Sequence, residues 1–168
     1  MSYEIQVQNE AGYAVDEARL REAATAALDR HHAAPDTALS IVLTNDDAIR
    51  DLNRRYRAVD SPTDVLSFPA AAPPVQIPGE PPYLGDLVIA YPYAIAQAER
   101  ERHAPGESLA LLVVHGTLHL LGYDHDTRAN RAAMWSAQAS ILDALGIPLD
   151  IVPALEGEAH DESSASIP

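Results

Sequence analysis

Three histidines lie close together in an otherwise apolar segment, VVHGTLHLLGYDHDT, with the spacing HxxxHxxGxxH. His115 and His119 are four residues apart, so on a helix both side chains project from one face. Gly122 tolerates the left-handed backbone that ends a helix, and the turn can return His125 to the same point. Three neutral imidazoles leave a coordination position open, as a catalytic zinc site requires. The spacing, which matches that of the metzincin proteases, predicts a metal site.

The residue after the first histidine is a glycine, Gly116. In the HExxH proteases this position holds the glutamate that acts as general base. A peptidase using that mechanism is therefore disfavoured. A base must come from elsewhere, or the metal itself must lower the pKa of a bound water towards about 7.

The composition restricts the kind of metal site. The chain has no cysteine, so a metal must be held by nitrogen and oxygen, and we expect one zinc ion per chain. An oxygen ligand from Asp124 or Asp126 would convert the open site into a closed, structural one. The other histidines lack such spacing and are predicted to lie on the surface: His31, His32, His103 and His160.

The elements that must position these residues follow from the hydrophobic periodicity, which predicts the order βαβαββααα. The predicted strands are 3–8, 38–44, 63–68 and 84–90, and the predicted helices are 16–32, 46–56, 92–102, 106–121 and 127–145. The expected fold class is α/β (α+β), a mixed four-stranded sheet packed with helices. The first three strands are expected to run parallel, with the fourth antiparallel along an edge.

The length of 168 residues fits one domain, which we place at residues 1–150. Residues 151–168 form an acidic segment poor in apolar residues and are predicted to be a disordered tail. The stretch 69–82 carries six prolines and is predicted to be an extended surface loop. The N-terminus does not read as a signal peptide and no apolar run suits a membrane span, so a cytoplasmic, soluble protein is expected.

The net charge of −14 argues against a generic nucleic-acid binder, because phosphate contacts need clustered cations. All eleven cations are arginines, however, and four fall within eight residues: Arg50, Arg54, Arg55 and Arg57. They form either a solvated helix face paired with nearby aspartates or a local basic edge on an acidic body.

Three motifs together resemble the bacterial YbeY family of metal-dependent, single-strand-specific endoribonucleases. They are HGTLHLLGYDH (115–125), LNRRYRAVDSPTDVLSFP (52–69) and LGDLVIA (84–90). The resemblance spans residues 3–147. It implies a zincin-like metallohydrolase fold, zinc ligands at His115, His119 and His125, and a functional, catalytic arginine at Arg57.

The resemblance also implies a role in ribosomal RNA maturation, at the 16S 3′ end, and in ribosome quality control. The expected partners are single-stranded regions of rRNA precursors and the ribosome or a subunit, with no membrane. The chain departs from the family in two ways. The proline-rich stretch and the tail are not part of the resemblance, so no family role transfers to them. Arg128 and Arg131 lie in a helix that is commonly acidic in the family. A ribosome-assembly factor with a structural zinc, or a metallohydrolase of a non-RNA substrate, stays open as an alternative.

Overall fold

The computed structural model describes residues 2–71 and 79–151. The strands are β1 (Glu4–Gln8), β2 (Ala38–Thr44), β3 (Val65–Pro69) and β4 (Tyr83–Ala90), and the helices are α1 (Glu17–Arg30), α2 (Asp46–Arg57), α3 (Tyr91–Arg100), α4 (Pro105–Leu120), α5 (Arg128–Leu145) and a short 3₁₀ helix (Leu149–Ile151). The predicted order and the mixed α+β class are confirmed. The ends of the elements lie within two residues of the predicted ones.

The four strands form one mixed sheet in the order β1-β2-β4-β3. β1, β2 and β4 run parallel, and β3 pairs antiparallel with β4. The prediction that the fourth strand forms the antiparallel edge was therefore wrong, because β3 takes that place. The end of β4 from Leu87 to Ala90 is buried throughout and suits an interior position. β3 ends in Pro69, a residue that sheets tolerate at an edge.

Helices cover both faces of the sheet. α2 packs over a small cluster formed by Ile49, Leu66, Val88 and Ala90, against which Phe68 is half-buried. The larger core lies on the opposite face, between the sheet and α1, α3, α4 and α5. α4 runs through this core and is buried from Leu109 to Leu118, so the helix that carries two of the histidines is held rigidly.

Gly116 lets α4 lie close against the sheet. A Cβ atom built on this residue would lie 2.7 Å from Leu87 Cδ2 and 3.3 Å from Ser67 Oγ. The Ser67 hydroxyl donates a hydrogen bond of 3.3 Å to the Gly116 carbonyl oxygen. A side chain at this position would point into the packed layer between α4 and the sheet, so packing favours glycine here.

The predicted tail and most of the proline-rich stretch, residues 152–168 and 72–78, lie outside the described residues. Ile151, which the sequence assigns to the tail, is buried in the core at 3% exposure. Within 2–71 and 79–151, no helix has both the length and the apolar character needed to cross a bilayer.

Candidate metal centre

The three histidines converge as the spacing predicts. One ring nitrogen from each of His115, His119 and His125 lies within 4.8 Å of the others. Gly122 follows α4 with φ of 103°, and its N–H donates to the His119 carbonyl oxygen at 3.0 Å. The left-handed residue reverses the chain, and this reversal brings the His125 ring beside the two on α4.

Hydrogen bonds orient two of the rings. His115 Nδ1 donates to Gln138 Oε1 at 3.1 Å, and His119 Nδ1 donates to the Tyr123 carbonyl oxygen at 3.0 Å. Because Nδ1 carries the proton in each ring, each Nε2 presents a lone pair. Such partners on the second nitrogen are typical of imidazoles that bind a metal.

The two Nε2 atoms lie 3.2 Å apart. Two lone pairs at this distance repel each other, and a cation between them would turn the repulsion into attraction. Two nitrogens bound tetrahedrally to zinc at 2.0–2.1 Å would be separated by about 3.3 Å. The donor set therefore fits a zinc-sized ion.

Burial keeps the rings neutral. His115 and His125 are 4% and 8% exposed. Desolvation, followed by the neighbouring imidazoles, lowers the pKa of His115 well below its usual value. Desolvation and the charge of His125 lower the pKa of His119 to about 4, and desolvation also lowers the pKa of His125. Neutral imidazole is the form that binds a metal, so the site is ready at neutral pH.

Helix α5 supplies one wall of the site. The Trp135 ring lies edge-to-face with His115 at 5.7 Å and with His125 at 5.9 Å, measured between ring centroids. Gln138, one turn later, is fully buried and orients His115. Neither Trp135 nor Gln138 was predicted from the sequence to belong to the site. Gln138 can be assigned to the site only once α5 is known to pack beside the histidines.

The two aspartates considered as a fourth ligand have other partners. Asp124 Oδ1 accepts a hydrogen bond of 2.7 Å from the His125 N–H, and Asp126 Oδ1 accepts one of 2.7 Å from Asn130 Nδ2. Across residues 2–71 and 79–151, the only cluster suited to a metal contains the three histidines alone. A coordination position is thus left for water or substrate.

Two arginines make the rim of the site positive. After burial and neighbouring ionisable groups, the charge of Arg57 also lowers the pKa of His119 and His125. Arg131 lowers the pKa of His125 in the same way, so this departure from the family acts on a histidine of the site. The charges of both guanidinium groups therefore act at the histidines, where they would favour an anion.

The other arginines of α2 belong to a solvated face. Arg50 donates to Asp60 at 2.8 Å, and Arg54 and Arg55 donate to Asp51 at 2.5 Å and 3.2 Å. All three side chains are more than half exposed. Three of the four clustered arginines thus pair with carboxylates in solvent. The fourth, Arg57, is the one whose charge acts on the histidines.

The prediction of surface positions was wrong for His31. Its ring is half-buried, with Nδ1 donating to the Ala27 carbonyl oxygen at 3.1 Å and Nε2 accepting from the Tyr123 hydroxyl at 2.7 Å. The contact ties the end of α1 to the turn that carries His125. His32 is exposed, as predicted, whereas His103 is partly buried and lies 3.9 Å from Glu101. His160 is outside the described residues.

Comparisons with known proteins agree over nearly all of the chain. A sequence model of the family described as Endoribonuclease YbeY matches residues 4–146. A protein of Chloroflexus aurantiacus named Endoribonuclease YbeY is 41% identical over 152 residues, 88% of this chain and 99% of its own. One of the same name from Moorella thermoacetica is 45% identical over 134 residues, 77% and 84% of the two chains. A Thermotoga maritima protein with a known solution structure shares the fold at a TM-score of 0.54 and 22% identity, over 99% of this chain and 98% of its own.

Proposed function

Since the chain belongs to the YbeY family of endoribonucleases, we propose that it cleaves unpaired RNA strands with the help of one bound zinc ion. We propose that its substrate is a precursor of ribosomal RNA, which it cleaves at the 16S 3′ end. We also propose a role in ribosome quality control, with the ribosome or a subunit as partner. The proposal is supported above all by the open three-histidine cluster, where the charge of Arg57 acts on His119.

The residues divide the work. His115, His119 and His125 would hold the zinc, which when bound supplies a Lewis acid for a phosphoryl oxygen and lowers the pKa of water. Arg57 would bind a non-bridging oxygen of the phosphodiester and stabilise the negative charge that grows on it during cleavage. Gln138 and the Tyr123 carbonyl keep two of the rings aimed at the ion.

The net charge of −14 argues against RNA binding, but the positive charges of the arginines act locally at the metal centre. An acidic surface repels long stretches of nucleic acid, so broad backbone contacts are disfavoured. A cationic pocket formed by zinc and two arginines can still hold one phosphodiester. We therefore expect weak binding of duplexes and cleavage confined to strands that can reach the pocket.

A ribosome-assembly factor with a structural zinc is less well supported. Structural zinc sites are usually closed by four protein ligands. Here Asp124 and Asp126 are engaged elsewhere, and the described residues offer three imidazoles alone.

Cleavage of an unstructured oligoribonucleotide by the zinc-loaded protein tests the proposal. We expect His115→Ala to lose both zinc and cleavage. Arg57→Ala should keep zinc and the melting temperature but lose cleavage by about a hundredfold or more, the usual loss when one charge-stabilising donor is removed. Arg55→Ala is the matched control, because its side chain pairs with Asp51 in solvent. Cleavage by the Arg57 variant at the parental rate would contradict the role of Arg57, and cleavage by His115→Ala would contradict the metal mechanism.

A further inference from the structure

Among the described residues, two aromatic side chains are largely exposed, and Tyr56 is the one without an evident structural reason. Tyr56, in the last turn of α2, is 53% exposed. Tyr83 is exposed to a similar degree, at 47%, but its hydroxyl group donates to the Asp86 carboxylate and lies 2.9 Å from Ser40 Oγ, from which it can accept. Leaving more than half of an aromatic residue in water sacrifices much of the stabilisation that its burial would give.

The Tyr56 ring is nevertheless held in place. It packs edge-to-face on Phe68, with ring centroids 5.3 Å apart and planes at 71°. Phe68 is in turn packed against the apolar cluster beneath α2. The tyrosine therefore presents an open aromatic surface on a rigid base, which reduces the entropy lost when a flat ligand stacks on it.

The ring is connected to the proposed phosphate site through neighbouring residues of the chain. Tyr56 directly precedes Arg57, whose charge reaches His119 and His125. Phe68 directly follows Ser67, which touches α4 at Gly116, the residue after His115. Tyr56 and its partner Phe68 are thus each one residue along the chain from a group that acts on or contacts the part of the molecule that carries the histidines.

We propose that Tyr56 is a stacking subsite for the base of an unpaired nucleotide next to the phosphodiester held by Arg57 and the metal centre. The proposal rests on the ribonuclease function proposed above. Every base has a flat π face, so stacking on an aromatic ring binds single strands with little regard to sequence. Bases paired in a duplex keep their faces covered by neighbours. The subsite therefore accounts for a preference for unpaired RNA.

Stacking suits an acidic protein for a second reason. The net charge of −14 limits the affinity that phosphate contacts can supply. Base stacking does not depend on neutralising phosphates, so it adds affinity that salt leaves unchanged. This difference separates Tyr56 from the arginines in an experiment.

The test uses the full zinc-loaded chain and a short unstructured oligoribonucleotide containing 2-aminopurine, whose fluorescence falls when it stacks. We expect Tyr56→Ala to raise KM or Kd by about 5- to 100-fold, with a smaller change in kcat, and to abolish the quenching seen in the first seconds after mixing. Tyr56→Phe and Tyr56→Trp should keep the parental affinity and the quenching. Leu149→Ala, which removes another exposed apolar side chain (51%), is the control and should change neither.

Salt dependence gives the second readout. The slope of log K against log salt should be unchanged in Tyr56→Ala and shallower by about 0.7 in Arg57→Ala, the value for one phosphate contact on a single strand. Parental affinity and quenching in Tyr56→Ala, with an active parent protein, would overturn the stacking subsite while leaving the ribonuclease function standing. A parent protein that neither binds nor cleaves RNA would overturn both.

Discussion

At the scale of single residues, the site is defined as much by what orients the histidines as by the histidines themselves. The Nδ1 protons of His115 and His119 are committed to oxygen acceptors, so their Nε2 lone pairs face each other at 3.2 Å. The convergence of the three histidines could be predicted from the sequence, because the HxxxH spacing and Gly122 are local features. The sequence could not predict Gln138, which reaches His115 from a different helix.

Gln138→Leu tests this orientation. Removing the acceptor leaves a buried N–H on His115 without a partner and frees the ring to carry its proton on Nε2. We expect zinc affinity to fall by about 10- to 100-fold with the fold retained. A chelator competition followed by the fluorescence of Trp135, the one tryptophan of the chain, measures the change.

Gln6→Leu, an exposed change of the same type on β1, is the control for Gln138→Leu and should keep the parental affinity. An unchanged zinc affinity in Gln138→Leu would show that the hydrogen bond to His115 does not help to hold the metal.

The buried histidines also predict how pH acts on the metal-free protein. The folded-state pKa of His119 is about 4, and those of His115 and His125 are also lowered. Unfolded imidazoles titrate near 6.5. Between these values the unfolded chain binds more protons, so stability falls as the pH drops below about 6.5, by up to about 1.4 kcal/mol per pH unit for each such histidine.

Urea unfolding of metal-free protein at pH 7 and pH 5 measures this effect. His119→Gln should show a weaker loss than the parent, because one titrating group is removed. His32→Gln, at an exposed position, should behave as the parent. Equal losses in the parent and in His119→Gln would argue against the lowered pKa. Because the pKa values are lowered, protons should displace zinc only at a lower pH than they would from histidines with the usual pKa.

At the scale of elements, the bounds of helices and strands could be predicted from the sequence better than the pairing of the strands. Strand β2 and helix α4 were located to within one residue, because apolar periodicity and the Gly122 stop signal lie in the sequence. The position of β4 between β2 and β3 was not predicted. Which strands pair depends on burial across the sheet, and a run such as LVIA suits any interior place.

Gly116 supports a prediction about α4. Gly116→Glu would place a carboxylate in the packed layer between α4 and the sheet, so we expect a loss of several kcal/mol in unfolding free energy, seen as a large drop in Tm. Gly116→Ala should lose less, since overpacking against Leu87 at about 1–3 kcal/mol is offset by about 1 kcal/mol of helix propensity.

Gly106→Ala is the matched control for Gly116, because a Cβ at this position in α4 meets nothing within 4 Å. It should leave Tm unchanged or slightly raised. A Gly116→Glu variant that melts with the parent and gains peptidase activity would refute the packing explanation for the glycine.

At the scale of the whole molecule, we propose that residues 1–151 form the folding unit and that 152–168 can be removed. Ile151 is buried, whereas the remaining tail sequence is acidic and poor in apolar residues. A chain ending at 151 should keep the parental Tm and zinc content within error. A chain ending at 150 loses the buried Ile151 and should melt lower. A Tm lowered by many degrees in the chain that ends at 151 would show that residues 152–168 contribute to the core.

Above all, we propose that three imidazoles hold one zinc ion and leave a coordination position open. X-ray absorption at the zinc edge, on protein loaded with one equivalent, tests it most directly. We predict three imidazole nitrogens at about 2.0–2.1 Å and one further light ligand supplied by solvent. The three-imidazole signature should vanish in a variant with all three histidines replaced by alanine. A shell of oxygens with fewer than three imidazoles, or an unchanged spectrum in the triple variant, would contradict zinc binding by the three histidines.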